Sequence, residues 1–462
     1  MTITKQLSEF VSGLRYDDLP QEVVTRCMFL ILDCIGNVVR ARADAESTPA
    51  LLAAVRVLGL AHGNAHVFAD DHGYAPAGAV LVNATLAHSL DFDDTHAAAI
   101  VHAGAPVIPA ALGAAEITGA SGIEVIEAVV AGYEVALRLA LALPAGAHYD
   151  RGFHPSATCG VFGAAAAACH IFGLSAPQTA SAFGIALSQS SGSLQFLSNG
   201  AWTKRFQVGW ASMSGFVAAT LARENFIGAA DPIEGKHGFL NAYAPSPQPE
   251  RVTQNLGTDW ELMQMGVKPY PSCRWGHAGI DAAIFLRDDH QLRPETITSV
   301  TLGLSRAGML LIGEPVDKKR NPGNIVDAQF SGPFVIATAL ASGTMEWDSY
   351  QRRDDPAIRR LMNQISCVND PQIEAEFPVN MSGKLTVIAD GQTYIKTVIV
   401  PKGEPDHFLT ALELRTKFIG LAAPVLGTAP ANSLAEAVLG LQRMKRAAAL
   451  FDNDVLSTTA AS

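Results

Sequence analysis

The chain has 462 residues, enough for two or three ordinary domains, and its 48 % apolar and 17 % charged composition is that of a compact globule, not a disordered chain. A formal charge of −11, from 33 basic and 44 acidic residues, excludes sequence-independent binding to nucleic acid or an anionic membrane surface as the main activity and favours a small ligand. Six cysteines without a CxxC pair read as reduced, buried thiols of a cytosolic protein, and neither a signal peptide nor an uninterrupted membrane span is expected.

From the amino terminus to about Val267 the pattern is helical: Leu7, Phe10, Val11 and Leu14 recur at helical spacing, as do Val23, Met28, Ile31 and Cys34. Aromatics are few while alanine and 40 glycines are many, which suits helices whose backbones approach closely. Lys and Arg are absent from Val57 to Leu137 and from Gly152 to Thr203, which predicts buried helical layers where long cations are costly. The first gap nonetheless holds six of the 13 histidines: His62, His66, His72, His88, His96 and His102. Asn83–Asp94, Ser121–Leu143 and Ser175–Ser188 are expected to continue the helical theme. If the first helix runs on, His88, Asp91 and Thr95 share one face as a candidate site wall, while Asp93 points elsewhere. The alternative is an Asp and His cluster capping a helix end. An aspartate-rich magnesium motif beginning at Asp93 would need an acid at position 97, where the chain has Ala97.

Next comes YDRGFHPSATCG, leading into the alanine-rich stretch Gly160–Gly173, read as a buried helix carrying His170. Pro155 suits a first helical turn and places His154 at the positive end of a helix dipole, where a neutral imidazole able to act as a base is favoured; a simple cap is the alternative. Lys204 then arrives in NGAWTKRFQVGWAS, among Gly, Ala and aromatic residues, and a lysine there needs a partner or a ligand. Lys268 precedes Pro269 and Pro271 in KPYPSCRWGH; the prolines hold an extended strut that presents the lysine rigidly, or simply stiffen a linker. Cys273 with His277 fits a thiol nucleophile or ordinary packing.

Between about Pro271 and Lys402 the texture changes. ITSVTLGLS and KLTVIADGQTYIKTVIV alternate like strands, with Asp390-Gly391 as a hairpin turn between the arms of the second, and helices are expected over Gly276–Leu286, Phe330–Ala341 and Pro356–Ile365. After Pro405 helical texture returns in LTALELRTKFIGLAAPVL and SLAEAVLGLQRMKRAAALF. The prediction is a mainly α protein, with residues 1–267 and 405–462 forming an all-helical domain and 268–404 a smaller inserted α+β domain. There is no internal repeat, and the small-residue tail STTAAS is the single low-complexity segment.

HSLDFDDTH, GFHPSATCGVFGAAAA, TKRFQVG, KPYPSC and SGPFVIATALASG, in this order and across nearly the whole chain, resemble the MmgE/PrpD family. The resemblance implies a large all-helical domain with an α+β lid, a cytoplasmic homodimer, a small-molecule polycarboxylate substrate, and no metal or organic cofactor. Carried over residue by residue, it implies catalytic roles for Asp91, His102, His154 and Lys268, and substrate contacts from Thr95, Lys204, Tyr149 and Tyr270. Two departures stand out: the family's His-Pro after DDT is His102-Ala103 here, and its spacing from Asp91 is one residue longer. They turn the reading toward a cofactor-independent epimerase of an iminodisuccinate-like amino polycarboxylate. The alternative within the family is a 2-methylcitrate-type dehydratase or a cis-aconitate-type decarboxylase; outside it, a non-catalytic polycarboxylate-binding protein. In the epimerase reading Lys268 is one base acting on the proton beside a carboxylate, with His154 or the Asp91/His102 pair opposite, and Lys204 and Lys268 stabilise the carbanion.

Overall fold

The computed structural model describes residues 1–452, so the STTAAS tail lies outside the described residues. The fold is mainly α and divides into two compact units, Met1–Gly266 together with the chain from Thr410 onward, and Val267–Leu409.

In the first unit the helices Gln21–Asp44, Pro76–Ala87, Gly104–Thr118, Gly122–Ala142, Gly160–Ile171 and Thr203–Arg223 pack on one another. Most of the cation-free length forms their buried layers, while Val57, Leu58, Leu197 and Trp202 within it are exposed. Gly160–Ile171 is buried at every residue except His170, which is held between Val11 O (2.7 Å) and Glu127 Oε2 (2.9 Å). Small residues set the spacing. A Cβ added at Gly209 would come within 2.0 Å of Thr85 Oγ1 and 2.9 Å of Leu81 O, so the Thr203–Arg223 helix seats against Pro76–Ala87 through a bare backbone. Two C-terminal helices, Ala411–Leu426 and Thr428–Leu439, pack against Gln21–Asp44. The second stops at Gly440, short of the expected Phe451, because Gly440 N–H closes on the Glu436 and Ala437 carbonyls and 3-10 turns follow. A short antiparallel pair, β1 (Thr95–His96) and β2 (Met265–Gly266), ties the DFDDT segment to the end of this run.

The second unit is a four-stranded sheet with helices against it. β3 (Ile297–Leu304), β4 (Ile365–Asn369), β5 (Gly383–Ala389) and β6 (Gln392–Val398) lie in the order β4-β3-β5-β6, with β3 and β4 parallel and the other neighbours antiparallel. Leu385, Val387 and Ala389 are buried on one face, as their alternation predicts. Asp390 (φ 50°) and Gly391 (φ 73°) both take the left-handed turn conformation of a two-residue hairpin. The helix expected to run through Ile365 ends at Gln364, and Ile365 opens β4, an edge strand whose largely exposed residues give no alternating signal. Cys367 on that strand is half-buried; the other five cysteines are buried, and burial pushes the thiols of Cys27, Cys34, Cys159 and Cys169 up, away from the reactive thiolate. No helix among the described residues is long and apolar enough to cross a membrane.

Candidate active site

The site begins where the Pro76–Ala87 helix fails to continue. His88 caps it, and Asp91 lies in the left-handed region (φ 54°). Tertiary bonds win over helix propagation here. The Phe92 side chain is buried, and its carbonyl accepts from Lys417 Nζ (2.8 Å) and Asn37 Nδ2 (3.4 Å). Lys417 is paired in turn with buried Asp33 at 2.5 Å. Asp91 and Thr95 therefore do not share a helix face with His88, contrary to the expectation from spacing.

The break swings Asp93 inward. Its Oδ2 lies 2.7 Å from His88 Nδ1 and 3.4 Å from His102 Nδ1, and the two rings meet edge to face at 4.6 Å. Burial alone would raise the Asp93 carboxyl, but His88 and His102 outweigh it and hold it well below the usual carboxylate range. Burial, opposed by Asp93 and assisted by Lys204, takes His88 down to about 4, so it is neutral at physiological pH. Its neighbour Asp94 is sealed off in the structure: Oδ2 accepts from Tyr133 Oη (2.6 Å), Oδ1 from Gly104 N (3.1 Å), and burial pushes the carboxyl up to about 8. A Cβ at position 104 would fall 2.6 Å from the Tyr133 hydroxyl, so only glycine admits this arrangement.

His154 stacks beside His88 at 5.9 Å and meets Phe196 edge to face at 5.6 Å. It caps the short Pro155–Thr158 turn, and burial, with the positive field of Lys204, holds it well below the ordinary histidine range. That segment is joined to His102, whose backbone N–H donates to Ser156 Oγ at 3.0 Å. Lys204, in the first turn of the Thr203–Arg223 helix, has the partner its setting demands: Nζ donates to Asp91 Oδ1 at 2.5 Å, with about a quarter of the lysine side chain exposed. Burial opposes its charge, but Asp91 outweighs burial and raises the ammonium above its ordinary value. Tyr149 is half-buried, its hydroxyl raised by burial against the opposing field of Lys204. The buried Thr95 hydroxyl makes no hydrogen bond among the described residues.

Asp91, Thr95, His102, Tyr149, His154 and Lys204 thus belong to one unit. Lys268 and Tyr270 belong to the other. There Lys268 is buried, and the proline strut is held by Gln329 Nε2 and Tyr350 Oη, both donating to Pro271 O (3.2 and 2.5 Å). Tyr270 Oη donates to Asp281 Oδ1 at 2.6 Å, and His277 Nε2 lies 3.2 Å from Ser272 O. Ligand atoms of His88, Asp93 and His102 lie within 4.8 Å of one another, a set that could hold a divalent metal, although its shortest separation is already a direct hydrogen bond.

Residues 5–252 match the MmgE/PrpD N-terminal domain and residues 270–443 the MmgE/PrpD C-terminal domain. The chain belongs to the MmgE/PrpD family. Its relatives include a cis-aconitate decarboxylase-like protein of Aspergillus oryzae, 27 % identical over 95 % of this chain and 94 % of its own. The cis-aconitate decarboxylases of Aspergillus terreus and Mus musculus are 24 % and 25 % identical over 96 % of this chain, and over 94 % and 91 % of theirs. These relatives overturn the isomerase expectation: decarboxylases are lyases, and nothing here supports an iminodisuccinate epimerase. The geometry shows why the altered His-Pro misled. The segment before His102 closes as a turn, with His96 N–H donating to Val101 O (2.8 Å) and Ile100 in the left-handed region, and it delivers His102 to Asp93 without a proline.

Proposed function

We propose that this MmgE/PrpD protein is a cofactor-independent lyase that decarboxylates a small unsaturated tricarboxylate of the cis-aconitate type. The observation that carries the reading is the placement, within one unit, of a buried His88–Asp93–His102 cluster, a neutral His154 and the Lys204 ammonium held charged by Asp91. The decarboxylase relatives, aligned almost end to end, support it. In such a substrate the departing carboxylate is β,γ-unsaturated. Its C–C bond breaks to release CO₂, the electron pair forms a new double bond, the old double-bond pair moves to the carbon beside another carboxylate, and a proton is added there. Negative charge builds on that carboxylate and needs a fixed cation in a site partly shielded from water, the role of Lys204. His102 delivers the proton, its ring steadied by the Asp93 carboxylate. Lys268 is a further cation in this reading, tested by itself in Lys268→Ala. The family's homodimer belongs to the same proposal, with exposed Leu197, Trp202, Phe206 and Trp210 as its apolar contact face.

The deciding assay incubates the protein with cis-aconitate in D₂O, with chelator present. One CO₂ and one unsaturated dicarboxylate per turnover, carrying a single solvent deuterium on the newly protonated carbon, is the expected outcome. Exchange or water loss without CO₂, or no reaction until a metal is restored, overturns it.

A further inference from the structure

We propose that Gln207 fixes His154 as the neutral tautomer protonated at Nε2, so that His154 meets its substrate as a hydrogen-bond donor and not as a base. Gln207 lies one turn after Lys204 on the same helix. Its Oε1 accepts from Ser193 N at 2.9 Å, while its Nε2 lies 3.2 Å from Ser193 O and 2.8 Å from His154 Nδ1. Turning the amide over would set oxygen against the Ser193 carbonyl and N–H against the Ser193 N–H, so the backbone of residue 193 determines which end faces the imidazole. That end is a nitrogen with two hydrogens and no lone pair. One hydrogen goes to Ser193 O and the other to His154 Nδ1, which must therefore be the unprotonated ring nitrogen. The proton of a neutral ring is then on Nε2.

An imidazolium would put N–H against N–H and lose the Gln207 bond, and the buried, cation-flanked setting of the ring disfavours charge in the same sense. The ring is also held in place. His154 N–H donates to Gly192 O at 3.1 Å, so successive residues, 192 and 193, hold the His154 backbone and the glutamine that reads its ring. Nε2 makes no hydrogen bond to protein among the described residues, which leaves its N–H for a ligand. The expectation that His154 could act as a base therefore gives way to the opposite polarity: the lone pair is engaged by Gln207, and the outward nitrogen offers hydrogen. The catalytic meaning rests on the proposed decarboxylation, in which this N–H steadies charge developing on a carboxylate oxygen without transferring its proton. Gln207 acts through His154 and is a positioning residue.

The test reads the ring directly, in the unliganded protein labelled with ¹⁵N-histidine. Long-range ¹H–¹⁵N correlation spectra, with the His154 signals assigned by their loss in His154→Gln, should show an unprotonated Nδ1 and a protonated Nε2 at neutral pH. Gln207→Glu keeps the shape but can only accept, so it should draw a proton onto Nδ1 and lower kcat at least about tenfold while KM moves less. A protonated Nδ1 in the parent protein, or an unchanged ring pattern in Gln207→Glu, overturns the assignment. If Gln207→Glu does not fold, the parent spectrum alone decides. Because no substrate is present, the tautomer stands or falls separately from decarboxylation: the ring pattern without CO₂ release sinks the function alone, and CO₂ release with the wrong pattern sinks this inference alone.

Discussion

Lys417→Met should both destabilise the helical unit and disorder the loop bearing Asp91 and Asp93, and the two effects can be separated. The Lys417 ammonium sits 2.5 Å from Asp33 Oδ1, with the side chains 6 % and 1 % exposed, donates to Phe92 O at 2.8 Å, and lies 3.7 Å from the Phe92 ring centroid. At that separation and an effective dielectric of about 20 the ionic attraction is roughly 7 kcal/mol, much of it offset by the cost of taking both charges out of water. Removing only the cation leaves the carboxylate buried, which costs about 3–5 kcal/mol. With an unfolding entropy of about 2 cal/mol/K per residue over a unit of about 300 residues, Tm should fall by roughly 5–8 °C. Turnover should fall too, since Phe92 stands between Asp91 and Asp93. The double variant Asp33→Leu/Lys417→Met removes both charges and should recover most of the stability, yet it cannot restore the bond to Phe92 O, so it should remain slow. Differential scanning calorimetry paired with kcat at 25 °C reads both quantities. A single variant that loses less than about 1 kcal/mol, or a double variant no more stable than the single, refutes the buried-pair reasoning.

Lys204→Met should lower kcat by about 10²–10³ with little change in Tm, since a partly exposed pair with Asp91 adds little stability; Lys204→Arg should recover part of the rate, and a Met variant within threefold of the parent would remove Lys204 from the chemistry. The pH dependence of stability offers a second check, through His88. Its folded pKa, about 4, lies below the unfolded value of about 6.5, so between these the unfolded chain binds a proton that the folded one does not. This contribution is complete above about pH 6.5 and lost as pH falls toward 4, by up to about 1.4 kcal/mol per pH unit. Urea midpoints for His88→Gln should therefore change less steeply across that window than the parent's. The raised Asp94 carboxyl works in the opposite sense but is common to both proteins and cancels in the comparison. Equal slopes would show that His88 does not remain neutral.

Most of the scaffold was legible because its signals are local. Cation-free, alanine-rich runs became buried helices, the Asp390-Gly391 turn joined β5 to β6, and a lysine among small and aromatic residues had a carboxylate partner. What could not be read locally is what distant chain segments impose. Helical periodicity placed His88, Asp91 and Thr95 on one face because it cannot see Asn37 and Lys417 taking the Phe92 carbonyl, and it turned Asp93 away from the histidines it in fact joins. A lone charge within an apolar helix, Asp33 in FLILDCIG, was the available hint that a buried cation from elsewhere was required. Gln207 gave no hint of its own, since its role depends on which end of an amide faces a ring 53 positions away. Ala103 in place of a proline was visible in the sequence, whereas the turn that returns His102 to Asp93 was not.

The order in which the chain is made gives the Lys417 contact another meaning. Asp33 and Phe92 leave the ribosome early, whereas Lys417 follows only after the whole Val267–Leu409 unit has been synthesised. The loop bearing Asp91 and Asp93 acquires this fastening only after the second unit has been made. A chain stalled or cut before residue 417 would carry Asp91, Asp93 and His102 without the lysine that fastens the Phe92 carbonyl between the two aspartates, so the arrangement of this loop depends on a segment made only after the whole second unit.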